Sequence, residues 1–221
     1  MVNAGAAGGF IDYLGYAFCR GRIVKDIEVD YGQFDNPIDL FWASGAAFFT
    51  QAKVFKQLGG FDETFFAHYE EIDLCWRMKN VGYRICYNPK STIYHLGGGT
   101  MHSSSPQKTY LNFRNSLFTL YKNYRGNYLF FMIMWRMILD YLAAAVFILN
   151  GEFKAAWQVV RAQFHFLGKL SDMKKKRRAL NKSTQGIVPN KKGIYSKSVV
   201  FSRFIRFKKH FSELDPKAFV Q

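Results

Sequence analysis

Apolar and polar positions follow a strand-like period in the first half of the chain, interrupted by short helical stretches. Residues 38–42 alternate apolar with polar or small side chains, and residues 83–87 and 91–95 are two further short apolar runs, so each predicts a short strand. Short helices are predicted over residues 53–58, which two glycines follow, and over about 67–80. This mixture predicts an α/β fold class.

The second half of the chain has the helical period. Ser105-Pro106 is a typical helix start, and the helix is predicted to continue to Tyr124. Residues 128–149 are almost continuously apolar, and residues 152–170 form an amphipathic pattern. The chain is therefore predicted to end its α/β part near residue 125 and to continue with amphipathic helices over residues 126–180.

The apolar segment 128–149 is long enough to span a bilayer. It also contains Arg136 and Asp140, four residues apart, which could pair on one helix face. Two charges in the middle of a membrane are costly, so the sequence favours an interfacial or half-buried helix. A spanning helix stays open as the alternative.

Composition and charge narrow the class of protein. The chain has 221 residues, of which 49% are hydrophobic and 18% aromatic, which excludes a disordered or low-complexity chain. Its three cysteines are scattered and form no Cys-x-x-Cys pair, which excludes a disulfide framework and a zinc ribbon and favours a reducing, cytosolic compartment. The first residues have no basic segment typical of a signal peptide.

The net charge of +15 lies mostly in the last third of the chain. Residues 151–221 contain 17 Lys and Arg against 4 Asp and Glu, including the run Lys174–Arg178. A basic cluster beside hydrophobic helices is typical of binding to an anionic membrane surface. Nucleic acid is the less favoured partner, because no nucleic-acid motif is present. Residues 181–221, basic and rich in Gly, Ser and Asn, are predicted to form a poorly ordered tail.

Three acids, Glu70, Glu71 and Asp73, fall within four residues of the predicted helix 67–80. Crowded carboxylates raise each other's pKa, which suits a general base. The plainer interpretation is that the acids stabilise a helix start and that Asp73 pairs with Arg77, four residues on. The aromatic residues around the acids favour a partly buried cluster.

Two further residues are candidates for binding. His95 follows a predicted strand and precedes three glycines, so it could contact a metal or phosphate, although a lone histidine is more often structural. Trp42 precedes Ala43-Ser44-Gly45, an aromatic platform beside a glycine, and a buried strand tryptophan is an equally good interpretation.

The combination of these motifs resembles the family-2 glycosyltransferases, and within them the bacterial rhamnosyltransferase-like enzymes. The resemblance covers about residues 1–125. Its motifs, in order, are Trp42-Ala-Ser-Gly45-Ala-Ala, Leu58-Gly-Gly-Phe-Asp-Glu63, Phe65-Phe66, Glu70-Glu71-Ile-Asp73-Leu-Cys-Trp-Arg77, Gly82-Tyr83-Arg-Ile, Pro89 and His95 with its glycines.

The resemblance implies a partial GT-A (nucleotide-diphospho-sugar transferase) fold, with residues 1–125 as its acceptor-side half. It implies that Glu71 is the catalytic base, at a position where the family usually has Asp. It implies that His95 completes a site for Mg²⁺ or Mn²⁺. The substrate-binding residues implied are Trp42, Ser44, Gly45, Glu70, Asp73 and Arg77.

The chain departs from the family in having no Asp-x-Asp motif. The expectation is therefore that it is the C-terminal portion of a longer enzyme whose nucleotide-binding half is missing here. The expected function is inverting transfer from a UDP- or dTDP-linked sugar to a lipid-linked or polysaccharide acceptor in cell-surface glycan synthesis. The expected location is the cytoplasmic side, peripheral to the inner face of the cell membrane. The alternative is a non-catalytic, membrane-peripheral remnant.

Overall fold

The computed structural model describes residues 7–93 and 105–220. In these ranges the strands are β1 (Gly9–Asp12), β2 (Ala17–Cys19), β3 (Arg22–Ile23), β4 (Asp26–Ile27), β5 (Asp39–Leu40), β6 (Ile85–Cys86) and β7 (Ile194–Tyr195). The helices are α1 (Ala52–Gln57), α2 (Glu70–Asn80), α3 (Pro106–Asn123), α4 (Leu129–Leu149), α5 (Phe153–Gly168), α6 (Leu170–Ser183) and α7 (Val199–Phe204).

The chain divides into two compact units, and the boundary falls inside α2, after Asp73. Among the described residues, unit 1 comprises 7–61, 74–93 and 186–220, and unit 2 comprises 62–73 and 105–185. The division expected from composition, with boundaries near residues 125 and 180, stays a prediction. Composition follows the chain in order, whereas unit 1 is assembled from three separate segments.

Unit 1 is built on a mixed five-stranded sheet with the order β4-β3-β2-β1-β7. The first four strands form an antiparallel meander, and β7 runs parallel to β1, with Ile11 opposite Ile194. A second, two-stranded sheet pairs β5 with β6. The α/β class predicted from the sequence is confirmed at this level.

The C-terminal segment is the main difference from the sequence-based expectation of a poorly ordered tail. Its aromatic side chains pack on the sheet, because the rings of Tyr195, Phe211 and Phe219 lie against those of Phe10 and Phe18. Burying aromatic surface supplies the free energy that orders a charged segment. The charge of the tail is obvious in the sequence, whereas the partner of its rings lies about 200 residues away.

Unit 2 is helical, with α3 packed against α4, α5 and α6. Buried apolar side chains from each of three helices form its centre: Leu111, Leu117, Phe118 and Leu120 of α3, Val159, Ala162 and Phe166 of α5, and Met173 of α6. The predicted helix starting at Ser105-Pro106 is confirmed as α3, with Ser105 in the N-cap position. The predicted helices at 128–149 and 152–170 are confirmed as α4 and α5.

Two short predicted strands have different outcomes. The run at 83–87 contains β6, as predicted. Residues 91–93 have no strand, and residues 94 and 95 of that predicted run lie outside the described residues.

Candidate functional site

The three clustered acids occupy the first turn of α2. The helix begins at Glu70, and Glu70, Glu71 and Asp73 are its first-turn acids. Negative side chains at this end are stabilised by the partial positive charge of the helix N-terminus. Glu70 and Glu71 are half-buried, and Asp73 is fully buried.

The loop that enters α2 has an unusual backbone. Phe66, His68 and Tyr69 have φ values of 63°, 65° and 72°, in the left-handed region that non-glycine residues seldom adopt. Such a conformation persists only where surrounding contacts impose it, and it is enriched at functional sites. The contacts that impose it here come from α3.

Two neighbouring residues of α3 hold this loop by its carbonyl groups. The Asn115 amide nitrogen lies 3.0, 2.8 and 2.7 Å from the carbonyl oxygens of Phe65, Ala67 and His68. The Arg114 guanidinium donates to the carbonyl oxygens of Thr64 and Phe65, at 3.1 and 3.0 Å. The position of Glu70 and Glu71 is therefore set by side chains on another helix.

Asp73 is part of a buried ionic network. Lys122 Nζ lies 2.8 Å from Oδ2 of Asp73 and 2.8 Å from Oδ2 of Asp62, and Asn123 donates to Asp73 Oδ1 at 2.7 Å. Lys176 Nζ adds a contact of 2.6 Å to Asp62 Oδ1. The network ties the start of α2 to α3 and α6.

The pKa of Asp62 lies well below its ordinary value. Burial alone would raise it, but the Lys122 charge and side-chain hydrogen bonds from Lys122, Lys176 and Thr64 outweigh burial. Asp62 is therefore ionised at neutral pH and takes part in the network as a carboxylate.

His68 and Glu70 carry polar atoms that the described protein does not satisfy. His68 Nε2 and Glu70 Oε2 are buried and have no hydrogen-bond partner among residues 7–93 and 105–220. Burial and the Lys108 charge lower the pKa of His68, and Glu70 acts in the opposite direction, so the imidazole is neutral at pH 7. Buried polar atoms without a partner are costly, and a ligand hydroxyl beside them would remove that cost.

The other candidate substrate residues belong to unit 1. Trp42 is buried, donates from Nε1 to the Phe10 carbonyl oxygen at 2.8 Å, and packs on Gly9, where an added Cβ would lie 2.2 Å from its ring. Ser44 is half-buried and Gly45 exposed. The geometry of Trp42 is that of a packed strand-end tryptophan.

The Trp42–Gly45 segment is fixed to α2 within unit 1, because the Ala43 amide donates to Cys75 Sγ at 3.4 Å. Arg77, two residues further along α2, donates to the carbonyl oxygens of Leu58 and Gly60. These hydrogen bonds use the guanidinium to hold the turn after α1.

The structure thus groups the predicted site residues by unit. Glu70, Glu71 and Asp73 lie together in unit 2, and Trp42, Ser44, Gly45 and Arg77 lie in unit 1. His95, the predicted metal ligand, lies outside the described residues. Among the residues that the structure describes, no group of three or more His, Cys, Asp or Glu could hold a metal ion. These residues alone do not fit Mg²⁺ or Mn²⁺, which stays a prediction from the family resemblance.

Sequence analysis missed the residues of α3 that position the acids. Asn115, Lys122 and Asn123 are polar, and their separations of seven and eight residues place them on one face of a helix. That polar stripe, inside a helix whose neighbouring positions are apolar, was the available signal. The apolar stripe of α3 was the more prominent pattern.

Part of this chain is similar to two proteins of Mycobacterium tuberculosis. A pre-mycofactocin glycosyltransferase is 32% identical over 72 residues, which cover 31% of this chain and 15% of the relative. An N-acetylglucosaminyl-diphospho-decaprenol L-rhamnosyltransferase is 35% identical over 54 residues, which cover 24% of this chain and 18% of the relative. No family model and no solved structure matches the chain.

The chain therefore matches less than a fifth of the length of either relative. Both relatives are named as glycosyltransferases, which supports a glycosyltransferase relationship at this coarse level.

Proposed function

We propose that this chain carries the acceptor side of an inverting glycosyltransferase of family 2, with a partial GT-A fold. The donor would be a UDP- or dTDP-linked sugar, and the acceptor a lipid-linked or polysaccharide hydroxyl in cell-surface glycan synthesis. One observation carries the proposal. The first turn of α2 holds Glu70 and Glu71 in a position imposed by α3. At this turn, His68 Nε2 and Glu70 Oε2 are buried and have no hydrogen-bond partner among the described residues.

The proposed chemistry assigns the proton transfer to Glu71. Its carboxylate removes the proton of the acceptor hydroxyl while that oxygen attacks the anomeric carbon from the face opposite the diphosphate. The new carbon–oxygen bond forms as the bond to the diphosphate breaks, and the electron pair of that bond leaves with the nucleoside diphosphate. The configuration at the anomeric carbon is inverted.

The neighbouring side chains have distinct proposed tasks. Glu70 Oε2 and His68 Nε2 would hydrogen-bond acceptor hydroxyls, because both atoms are buried and lack a partner in the described ranges. Asp73 acts through Lys122 and Asn123 to hold the turn, so it is a positioning residue. The family resemblance implies that His95 would help to hold Mg²⁺ or Mn²⁺, which would supply positive charge for the leaving diphosphate.

The experiment measures sugar transfer from labelled UDP- and dTDP-sugars to a prenyl-diphosphate glycan, using the complete gene product that contains this chain. Glu71→Gln should lower the rate by about 100- to 10,000-fold, the range for loss of a general base. Glu71→Asp, which restores the residue usual in the family, should keep measurable activity. Glu63→Gln, at an exposed acid outside α2, is the matched control.

An active Glu71→Gln enzyme would remove the base assignment. Failure of every nucleotide sugar to bind in calorimetry, with and without Mn²⁺, would instead support the non-catalytic remnant. The two failures are distinguishable. In the first, the Glu71→Gln variant still transfers sugar; in the second, the wild type itself binds no nucleotide sugar.

A further inference from the structure

The outer face of α4 consists of large apolar side chains that the protein leaves in solvent. Phe131 and Trp135 are 69% and 50% exposed, and Leu149 at the other end is 84% exposed. The exposed side chains recur at three- and four-residue steps, which is one helical stripe: Phe131, Trp135, Ile138, Leu142, Val146 and Leu149. A 21-residue helix with this composition is the one candidate membrane span among the described residues.

The polar groups of α4 lie on its opposite face, inside unit 2. Arg136 and Asp140 are each 1% exposed and face each other at 3.9 Å, and Arg136 donates to Ser116 Oγ of α3 at 2.8 Å. Gln163 of α5 donates to the carbonyl oxygen of Met137 at 3.0 Å. The helix is therefore reversed relative to a soluble amphipathic helix, with its charges inward and its apolar side outward.

The apolar surface continues onto α5, which follows α4 after a turn of three residues. Phe153, Trp157, Phe164 and Leu167 are exposed and again fall on one stripe. Ala144 of α4 packs on Ala156 and Val159 of α5, so the two helices pack directly together. Two directly packed helices that each expose a stripe of large apolar side chains are rare on soluble monomers, and exposed apolar patches mark interaction sites.

The charge of α6, the next helix along the chain, indicates the partner. Within the basic run of α6, Lys176 and Arg177 are used internally, the first on Asp62 and the second on the carbonyl oxygens of Tyr121 and Tyr124. The exposed cations that remain on α6 are Lys174, Lys175, Arg178 and Lys182. A strongly apolar face with basic residues on the next helix fits an anionic lipid surface, in which the rings enter the interface and the cations contact headgroups.

We propose that the exposed α4–α5 face docks into one leaflet of an anionic phospholipid bilayer, with α4 lying in the plane of the membrane and not spanning it. Spanning is disfavoured because α4 is packed on α3 and α5, and α3 carries the buried Arg114, Asn115 and Lys122. The proposal deepens the proposed function, since a lipid-linked acceptor is presented at such a surface, but vesicle binding is measured without any sugar donor.

The first test is co-sedimentation of the full chain with vesicles of phosphatidylcholine, with and without phosphatidylglycerol. Binding should require the anionic lipid and weaken as salt rises. Phe131→Ser with Trp135→Ser should lower the partition coefficient by at least about tenfold, from the apolar surface lost. Tyr31→Ser with Phe49→Ser, two exposed aromatic positions of unit 1, is the matched control. Glu71→Gln should bind as the wild type does.

The tryptophans report which face inserts. Trp135 and Trp157 are exposed, whereas Trp42 and Trp76 are buried. Emission should shift to the blue on vesicle binding and be quenched by brominated lipids. Trp135→Phe with Trp157→Phe should abolish both effects while sedimentation with vesicles persists. Quenching that survives in this variant would overturn the assignment of the face.

Orientation is tested by labelling the two ends of α4 with a membrane-impermeant maleimide. Tyr128→Cys and Asn150→Cys should be labelled from the same side of sealed vesicles, in a background carrying Cys86→Ser, since Cys86 is exposed. Labelling from opposite sides would establish a spanning helix and overturn the proposal.

Two other occupants are outcomes that would also overturn it. In the first, the wild type binds no vesicles but self-associates as its concentration rises, and the Phe131→Ser, Trp135→Ser variant does not self-associate. That result would assign the face to a second copy. Competition between DNA and vesicles for the basic residues, with no effect of the apolar variants, would assign the surface to nucleic acid.

Discussion

Lys122 and Asp73 form an ion pair of 2.8 Å that is almost entirely shielded from solvent. The same ammonium group contacts Asp62, so one cation from α3 bridges two carboxylates. Asp73 is thereby committed to holding the start of α2. Glu70 and Glu71, in the same helical turn, are the acids to which the proposed function assigns contact with the acceptor.

Replacing Lys122 by Met should destabilise unit 2 strongly, because Asp73 would remain as a buried charge without its cation. Removing one partner of a buried pair costs about 3–5 kcal/mol. The free energy of unfolding in urea, followed by helical circular dichroism, measures the loss. Lys174→Met, at an exposed position of α6, should change it little.

Acid should weaken the same network. Burial would raise the pKa of Asp62, but Lys122, Lys176 and Thr64 together outweigh burial and depress the pKa in the folded chain, so folding favours the ionised form. Its contribution to stability is complete above the unfolded pKa of about 4 and is lost as the pH falls below that value. Melting temperatures between neutral and strongly acidic pH test this. Asp62→Asn should show a shallower acid dependence, and an unchanged one would contradict the assignment.

Replacing Asn115 by Ala should impair both stability and transfer. The carbonyl groups of Ala67 and His68 would lose the Asn115 donor, at a cost of about 1–3 kcal/mol for unsatisfied buried groups, whereas the Phe65 carbonyl would keep its bond from Arg114. Released from this contact, the left-handed loop should relax and move Glu71. Activity measured at a temperature where the variant is fully folded separates the two effects. Asn181→Ala, at an exposed asparagine of α6, is the control.

The long helices and the acidic turn were predictable because their signals are local. Ser105-Pro106 defines the start of α3 on its own, and the period of α4 and α5 is visible over a few turns. The docking of the C-terminal segment was not, because β7 pairs with β1 across nearly the whole chain. The roles of Arg114 and Lys122 were missed for the same reason, because their partners Thr64 and Asp73 lie about 50 residues earlier in the chain.

Gly193 should tolerate no side chain. Its φ is +86°, and an added Cβ would lie 2.3 Å from the Phe41 amide nitrogen, a backbone atom that cannot move aside. Gly193→Ala should therefore destabilise unit 1 by more than the roughly 1 kcal/mol typical of a single substitution. Gly59→Ala, also at positive φ but with open space around it, isolates the strain of the backbone from the clash. Equal losses in the two variants would contradict the close approach.

By lying alongside β1, the short strand β7 occupies a sheet edge that would otherwise offer unpaired amide and carbonyl groups to other molecules. A chain cut by a protease ahead of residue 194 would present that bare border together with the uncovered rings of Phe10 and Phe18. Such a product should aggregate through intermolecular strand pairing, so the last residues of the chain protect the protein from aggregation.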